Sequence, residues 1–167
     1  MAKDRITPIF FYGPLCALPL LSWVLTGSTD NAQAVALRVT RARVTGYARF
    51  AIHKRAYPAA VKRAGDPGAF IDGIIMRPQS REEWQRLDDF EGDMYAPTRV
   101  VEKRLDFDDQ PTEETAEANM YVWEGGMDVL SSEPWELSRF VKKRLRDWLE
   151  LFEGLERVSN AMKALDV

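Results

Sequence analysis

A chain of 167 residues, 46% apolar and 29% charged, has the length and composition of one globular domain with a buried core, not of a disordered segment. Its 23 basic and 26 acidic side chains leave a net charge of -3, without the basic excess that marks nucleic-acid-binding domains, so no nucleic-acid partner is expected. A single cysteine, Cys16, and a single histidine, His53, exclude an intramolecular disulfide, leave zinc without its usual ligands, and shift acid–base chemistry onto carboxylates, tyrosines or lysines.

Ile9 to Gly27 carries no charge and follows Lys3 and Arg5, as in a signal peptide or short membrane span. Gly13, Pro14 and Pro19 interrupt the run and Asp4 spoils a positive leader. It is read instead as strand, turn and helix of a cytoplasmic protein with no membrane partner. Ile6 to Tyr12 is a strand closed by Gly13-Pro14. Leu18, Leu21, Trp23, Val24 and Leu25 suit a short helix ended by Gly27, and Ser28 to Gln33 is a polar loop. Val35 to Lys54 alternates imperfectly and predicts two strands, or one bent strand with Gly46 at a bulge. Arg38, Arg41, Arg43, Arg49, Lys54, Arg55, Lys62 and Arg63 cluster here, as a solvated sheet face or, less favoured, as a surface for an anionic substrate group.

Pro58 and the turn Gly65-Asp66-Pro67-Gly68 set this region apart from a strand over Phe70 to Met76. Ser80 with Glu83 three residues on predicts a capping box, and Trp84, Leu87, Phe90 and Glu91 share one side of the helix that follows. Gly92 ends it. Tyr95 to Phe107 reads as a strand, Asp108 to Glu117 as an acidic loop, and Ala118 to Trp123 as the second arm of a hairpin. Pro134 opens a final helix to about Glu153, whose stripe Leu137, Val141, Leu145, Trp148, Leu149 and Phe152 suits packing on its own barrel or on a second subunit, so monomer and homodimer both stay open. The sum is one α+β domain over 1–167, with a core over about 6–123 and a helix over about 134–153: mostly antiparallel strands round a sheet or barrel.

Chemistry concentrates in Leu87-Asp88-Asp89-Phe90-Glu91-Gly92-Asp93-Met94-Tyr95, with four carboxylates within six positions. Helical spacing puts Glu91 with Trp84 and Leu87 on the apolar side, whereas Asp89 points elsewhere. A carboxylate against apolar walls at the negative end of a helix has its pKa raised, and can take and return a proton near neutral pH. A solvated acidic helix end explains the same residues, while no EF-hand spacing is present. Tyr12-Gly13-Pro14-Leu15 at a strand end is either a plain turn or a loop whose amides meet an anion. Cys16 has only His53 as a possible imidazole partner, which makes a nucleophilic role the weaker reading.

Phe11-Tyr12-Gly13-Pro14-Leu15 resembles the Tyr-Gly-small-Leu signature of the gamma-glutamyl cyclotransferase-like family, in the branch of plant avirulence-induced-gene proteins and gamma-glutamylamine cyclotransferases. The similarity continues in order through Val44-Thr45-Gly46-Tyr47, Arg55-Ala56-Tyr57-Pro58-Ala59, Ile71-Asp72-Gly73-Ile74, Leu87-Asp88-Asp89-Phe90-Glu91-Gly92 with Tyr95, and Tyr121-Val122-Trp123. The resemblance implies a small mixed, mostly antiparallel β-barrel with flanking helices and a pocket at one mouth. It implies Glu91 as the acid–base residue, the loop amides of Tyr12, Gly13 and Leu15 against the substrate's carboxylate, and Tyr95 and Tyr121 beside the pocket. The reaction implied closes a gamma-glutamyl amine, a small-molecule substrate, to 5-oxoproline with neither metal nor cofactor. Pro14 departs from the Ser or Thr usual there and removes an amide N–H from the binding loop. That departure keeps open a cyclase, lyase or isomerase of the same fold acting on a biosynthetic metabolite, and a non-catalytic ligand-binding protein.

Overall fold

Ile9, Phe10, Phe11 and Tyr12 are all buried, yet they face two different cores. The computed structural model of the chain describes residues 6–92 and 94–152; Lys3, Asp4, Arg5, Asp93 and Glu153, used above, lie outside them. Strand β1 (Ile9–Phe11) runs antiparallel to β5 (Phe70–Met76) and parallel to β7 (Pro111–Trp123). β2 (Thr40–Thr45) joins β5 to β6 (Tyr95–Leu105), and the β6–β7 hairpin closes a barrel in the order β1-β5-β2-β6-β7. Only the β1–β7 pair is parallel, so the expected mixed, mostly antiparallel barrel is what forms.

Period-two alternation sorts the side chains. Phe10 and Tyr12 enter the barrel with Ala42, Val44, Ile75, Val100 and Met120. Ile9 and Phe11 turn outward against α1 (Leu18–Thr26) through Leu20, Leu21 and Val24, and against Leu87 of α3 (Arg81–Glu91). The uncharged stretch from Ile9 is therefore β1, a 3-10 turn over Pro14–Cys16, and α1 capped by Gly27. Among the described residues no helix is long and apolar enough to cross a membrane.

Several boundaries differ from expectation. Val35 lies in a short helix, α2 (Ala32–Ala36), because it alone of that segment is buried, and the polar loop before it contains a 3-10 turn over Thr29–Asn31. The chain breaks at Gly46 and leaves the barrel as β3 (Tyr47–Ala51), which pairs only with β4 (Pro58–Lys62). Pro58 thus opens a strand instead of separating two, at a strand's first residue, where a missing N–H is tolerated. β7 begins at Pro111, so most of the supposed acidic loop is strand. The final helix is not continuous: α4 (Leu137–Lys143) ends at Arg144, with φ -126, and a helical segment over 145–152 follows. Leu145, Trp148, Leu149 and Phe152 pack against the chain's own helix-side core, whereas Val141 is exposed.

Three of the clustered arginines are matched by carboxylates: Arg38 with Glu83, Arg41 with Asp109, and Arg43 with both oxygens of Asp72. The capping box forms in half. The Ser80 hydroxyl accepts from the Glu83 N–H at 3.1 Å, but the Glu83 carboxylate accepts from the Gln79 N–H at 2.8 Å and from Arg38. Ser80→Ala should therefore cost about 1 kcal/mol of stability, read as a lower urea midpoint at unchanged slope.

Candidate active site

Glu91 is the last residue of α3, and Gly92 follows it at φ 76 and ψ -170, a conformation open to glycine and strained for any other residue. Glu91 lines a cavity of about 470 Å³ at the barrel end where β1 and β7 finish and β6 starts. The cavity wall brings together Tyr12, Gly13, Pro14, Leu15, Glu91, Tyr95 and Tyr121, all the residues the sequence placed at the site.

The Glu91 carboxyl is raised to about 8, chiefly because burial penalises its charged form, and the neighbouring Asp88 charge pushes the same way. No hydrogen bond from a described residue offsets this. Asp88 sits three residues before Glu91 on the same helical side and accepts the Tyr121 hydroxyl at 2.8 Å. Asp89 also borders the cavity, but it is exposed and its carboxylate accepts from the exposed Gln85 amide at 2.8 Å.

Burial pushes the Tyr12, Tyr95 and Tyr121 hydroxyls well above the ordinary phenol range, with further upward pressure from nearby charge. They stay protonated and donate. Tyr12 donates to the Tyr121 carbonyl, Tyr95 to the Pro58 carbonyl at 2.7 Å, and Tyr121 to Asp88. All three donors are therefore engaged within the protein, which gives these tyrosines a positioning character. The Tyr95–Pro58 bond seats Pro58 beside Gly13, where a Cβ would come within 3.0 Å of the Pro58 ring.

Pro14 opens the 3-10 turn, in which the Cys16 and Ala17 amides bond back to the carbonyls of Gly13 and Pro14, both at 2.9 Å. Those amides are engaged inside the turn and Pro14 has none, which leaves Tyr12, Gly13 and Leu15 as the loop's candidate donors. The Tyr12 carbonyl just before it accepts from Arg49 at 2.8 Å, and Arg49 lies over the Trp135 ring. One member of the basic cluster thus braces the loop from behind. Cys16 does not reach the cavity: its thiol donates to the Phe11 carbonyl at 3.2 Å, and burial pushes it up to about 12, away from a nucleophile's range. His53 is exposed.

Sequence reasoning did not find Asp88, Arg49, Tyr57, Trp148 and Phe152 as site residues. Tyr57, Trp148 and Phe152 line the cavity; Trp148 contacts both Tyr57 and Phe90, with centroids 6.3 Å apart in each pair, and Phe152 contacts Phe90 at 5.9 Å. The apolar stripe of the final helix carried the signal for the last two, but not its partner.

The fold is shared with solved structures of low sequence identity. One is a solution structure from Arabidopsis thaliana, 20% identical at a TM-score of 0.57, covering 92% of this chain and 84% of that one. A yeast gamma-glutamyl cyclotransferase specific to glutathione is similar at 11% identity and TM-score 0.52, covering 78% and 74%. A mouse AIG2-like protein is similar at 15% identity and TM-score 0.50, covering 80% and 88%. No curated protein matches the sequence. The fold is that of the gamma-glutamyl cyclotransferase-like enzymes. The profile of the family "Gamma-glutamyl cyclotransferase, AIG2-like" matches residues 9–137, and the chain belongs to that family.

Proposed function

We propose that the chain cyclises a gamma-glutamyl amine to 5-oxoproline and releases the amine, with Glu91 as the acid–base residue. The observation that carries this reading is the desolvated Glu91 carboxyl, raised to about 8, on the same cavity as the Tyr12-Gly13-Pro14-Leu15 loop. The ionised Glu91 takes a proton from the substrate's α-amine. The freed nitrogen attacks the γ-carbonyl carbon, the bond from that carbon to the departing nitrogen breaks, and Glu91 gives its proton to that nitrogen. No water is consumed. A pKa close to working pH lets one group serve in both directions, and the cavity walls hold nucleophile and carbonyl in attacking range. The Tyr12, Gly13 and Leu15 amides orient the substrate. The test is 5-oxoproline release from gamma-glutamyl amines by the purified chain; folded protein that yields none overturns the reading.

Asp88 is a positioning residue in this scheme. In Asp88→Asn the side-chain oxygen still accepts from Tyr121, but the charge that helps hold Glu91 up is gone. The limb of kcat against pH that reports Glu91 ionisation should move to lower pH. An unmoved limb would show that Asp88 has no such effect.

A further inference from the structure

The cavity has two kinds of wall. At the barrel end it is formed by backbone and by hydrogen-bonded tyrosine hydroxyls. Beyond, Tyr57, Phe90, Trp148 and Phe152 form a joined aromatic wall, with Met94 at the rim. The Trp148 and Phe152 rings stand edge to face at 6.0 Å, and Trp148 is held from behind by Phe140 at 5.1 Å. The charged residues on the lining are Glu91 and Asp89, both acidic; among the described residues no lysine, arginine or histidine reaches it. Arg49 is turned to the Tyr12 carbonyl, and Arg55 lies 5.9 Å from the Tyr57 ring, off the lining.

A gamma-glutamyl group brings one carboxylate, which the loop amides next to β1 can meet. A departing amino acid brings a second carboxylate, and this wall would place it on aromatic faces beside two acidic residues with no counter-charge. Burying an unpaired carboxylate costs far more than an aromatic wall returns. An uncharged aromatic or aliphatic group, in contrast, gains by stacking and by leaving water. We infer that the departing amine carries an uncharged, apolar and preferably aromatic substituent, so that the substrate is the gamma-glutamyl amide of an apolar primary amine and not a gamma-glutamyl amino acid. This rests on the cyclotransferase reading above.

The experiment compares three compounds by 5-oxoproline release: gamma-glutamyl-benzylamide, gamma-glutamyl-methylamide and gamma-glutamyl-alanine. The benzylamide should exceed the alanine conjugate in kcat/KM by on the order of 100-fold, with the methylamide between them. Equal or better turnover of the alanine conjugate overturns the inference while leaving the cyclotransferase reading intact. No 5-oxoproline from any of the three overturns that reading, and the inference with it. Met94 is half-exposed at the rim, so Met94→Lys can set a cation there without disturbing the core. The variant should raise the alanine-to-benzylamide ratio of kcat/KM about tenfold, and a ratio that does not move counts against the inference.

Discussion

Glu91→Gln should lower 5-oxoproline formation by about 100- to 10,000-fold, the range of a positioned general acid–base group, while the protein stays folded. Glutamine keeps the shape and polarity of the side chain but can neither take nor return the proton. The same substitution has a stability signature that separates a desolvated carboxyl from a solvated one. Glu91 has a folded pKa of about 8 against an ordinary value of 4.5, so the folded state holds its proton more tightly. The favourable contribution is complete below pH 4.5 and is lost as pH rises through 8. The variant should therefore melt close to the parent at pH 4 and above it near pH 8, as seen by circular dichroism. A parent and variant that both turn over substrate at similar rates would remove Glu91 from the mechanism, and melting curves that differ by the same amount at both pH values would show an exposed carboxyl.

Gly73→Ala should destabilise the fold more than any single truncation in the loops. Gly73 pairs with Ala42 in the β5–β2 ladder, and a Cβ there would lie 2.0 Å from the Phe11 carbonyl oxygen and 3.0 Å from the tip of the Phe10 ring. The first clash is with backbone, so no side-chain rotation relieves it. Either β1 moves away from β5, which disturbs the Tyr12-Gly13 end of the cavity, or the barrel opens. A cost of at least about 3 kcal/mol is expected, a fall in Tm of about 10 °C for a chain this size. A variant that melts with the parent would mean that β1 does not approach β5 as described. The family resemblance drew attention to Ile71-Asp72-Gly73-Ile74; the space round Gly73 supplies the physical reason for a glycine.

Elements with an apolar run or stripe and marked ends were legible in the sequence. β1 is apolar on both faces and closed by Gly13-Pro14, α1 ends at Gly27, and α3 has an apolar side with Ser80 at its start and Gly92 at its end. Glu91 was found the same way, through its spacing from Leu87 and Trp84. Segments with no such pattern were missed. The first half of β7, Pro111 to Glu117, pairs with β6 in an arm that is mostly exposed, so Glu113, Glu114 and Glu117 sit there without alternating with apolar residues. β4 opens with a proline and pairs only with β3. The break at Arg144 has no marker in its neighbours, yet it redirects the helical segment over 145–152 so that Trp148 and Phe152 reach the cavity. Asp88 was in view as one of several acidic residues; its bond to Tyr121 and its charge beside Glu91 set it apart from Asp89 only in the structure.

The dependence of kcat on pH, measured with gamma-glutamyl-benzylamide for the parent chain, tests the proton-transfer role of Glu91 most directly. Base catalysis by a carboxyl of pKa about 8 predicts that kcat falls about tenfold per pH unit below that value and levels off above it. A rate that stays level between about pH 5 and pH 9 would contradict the mechanism, because a group needed in its ionised form cannot be protonated without loss of turnover.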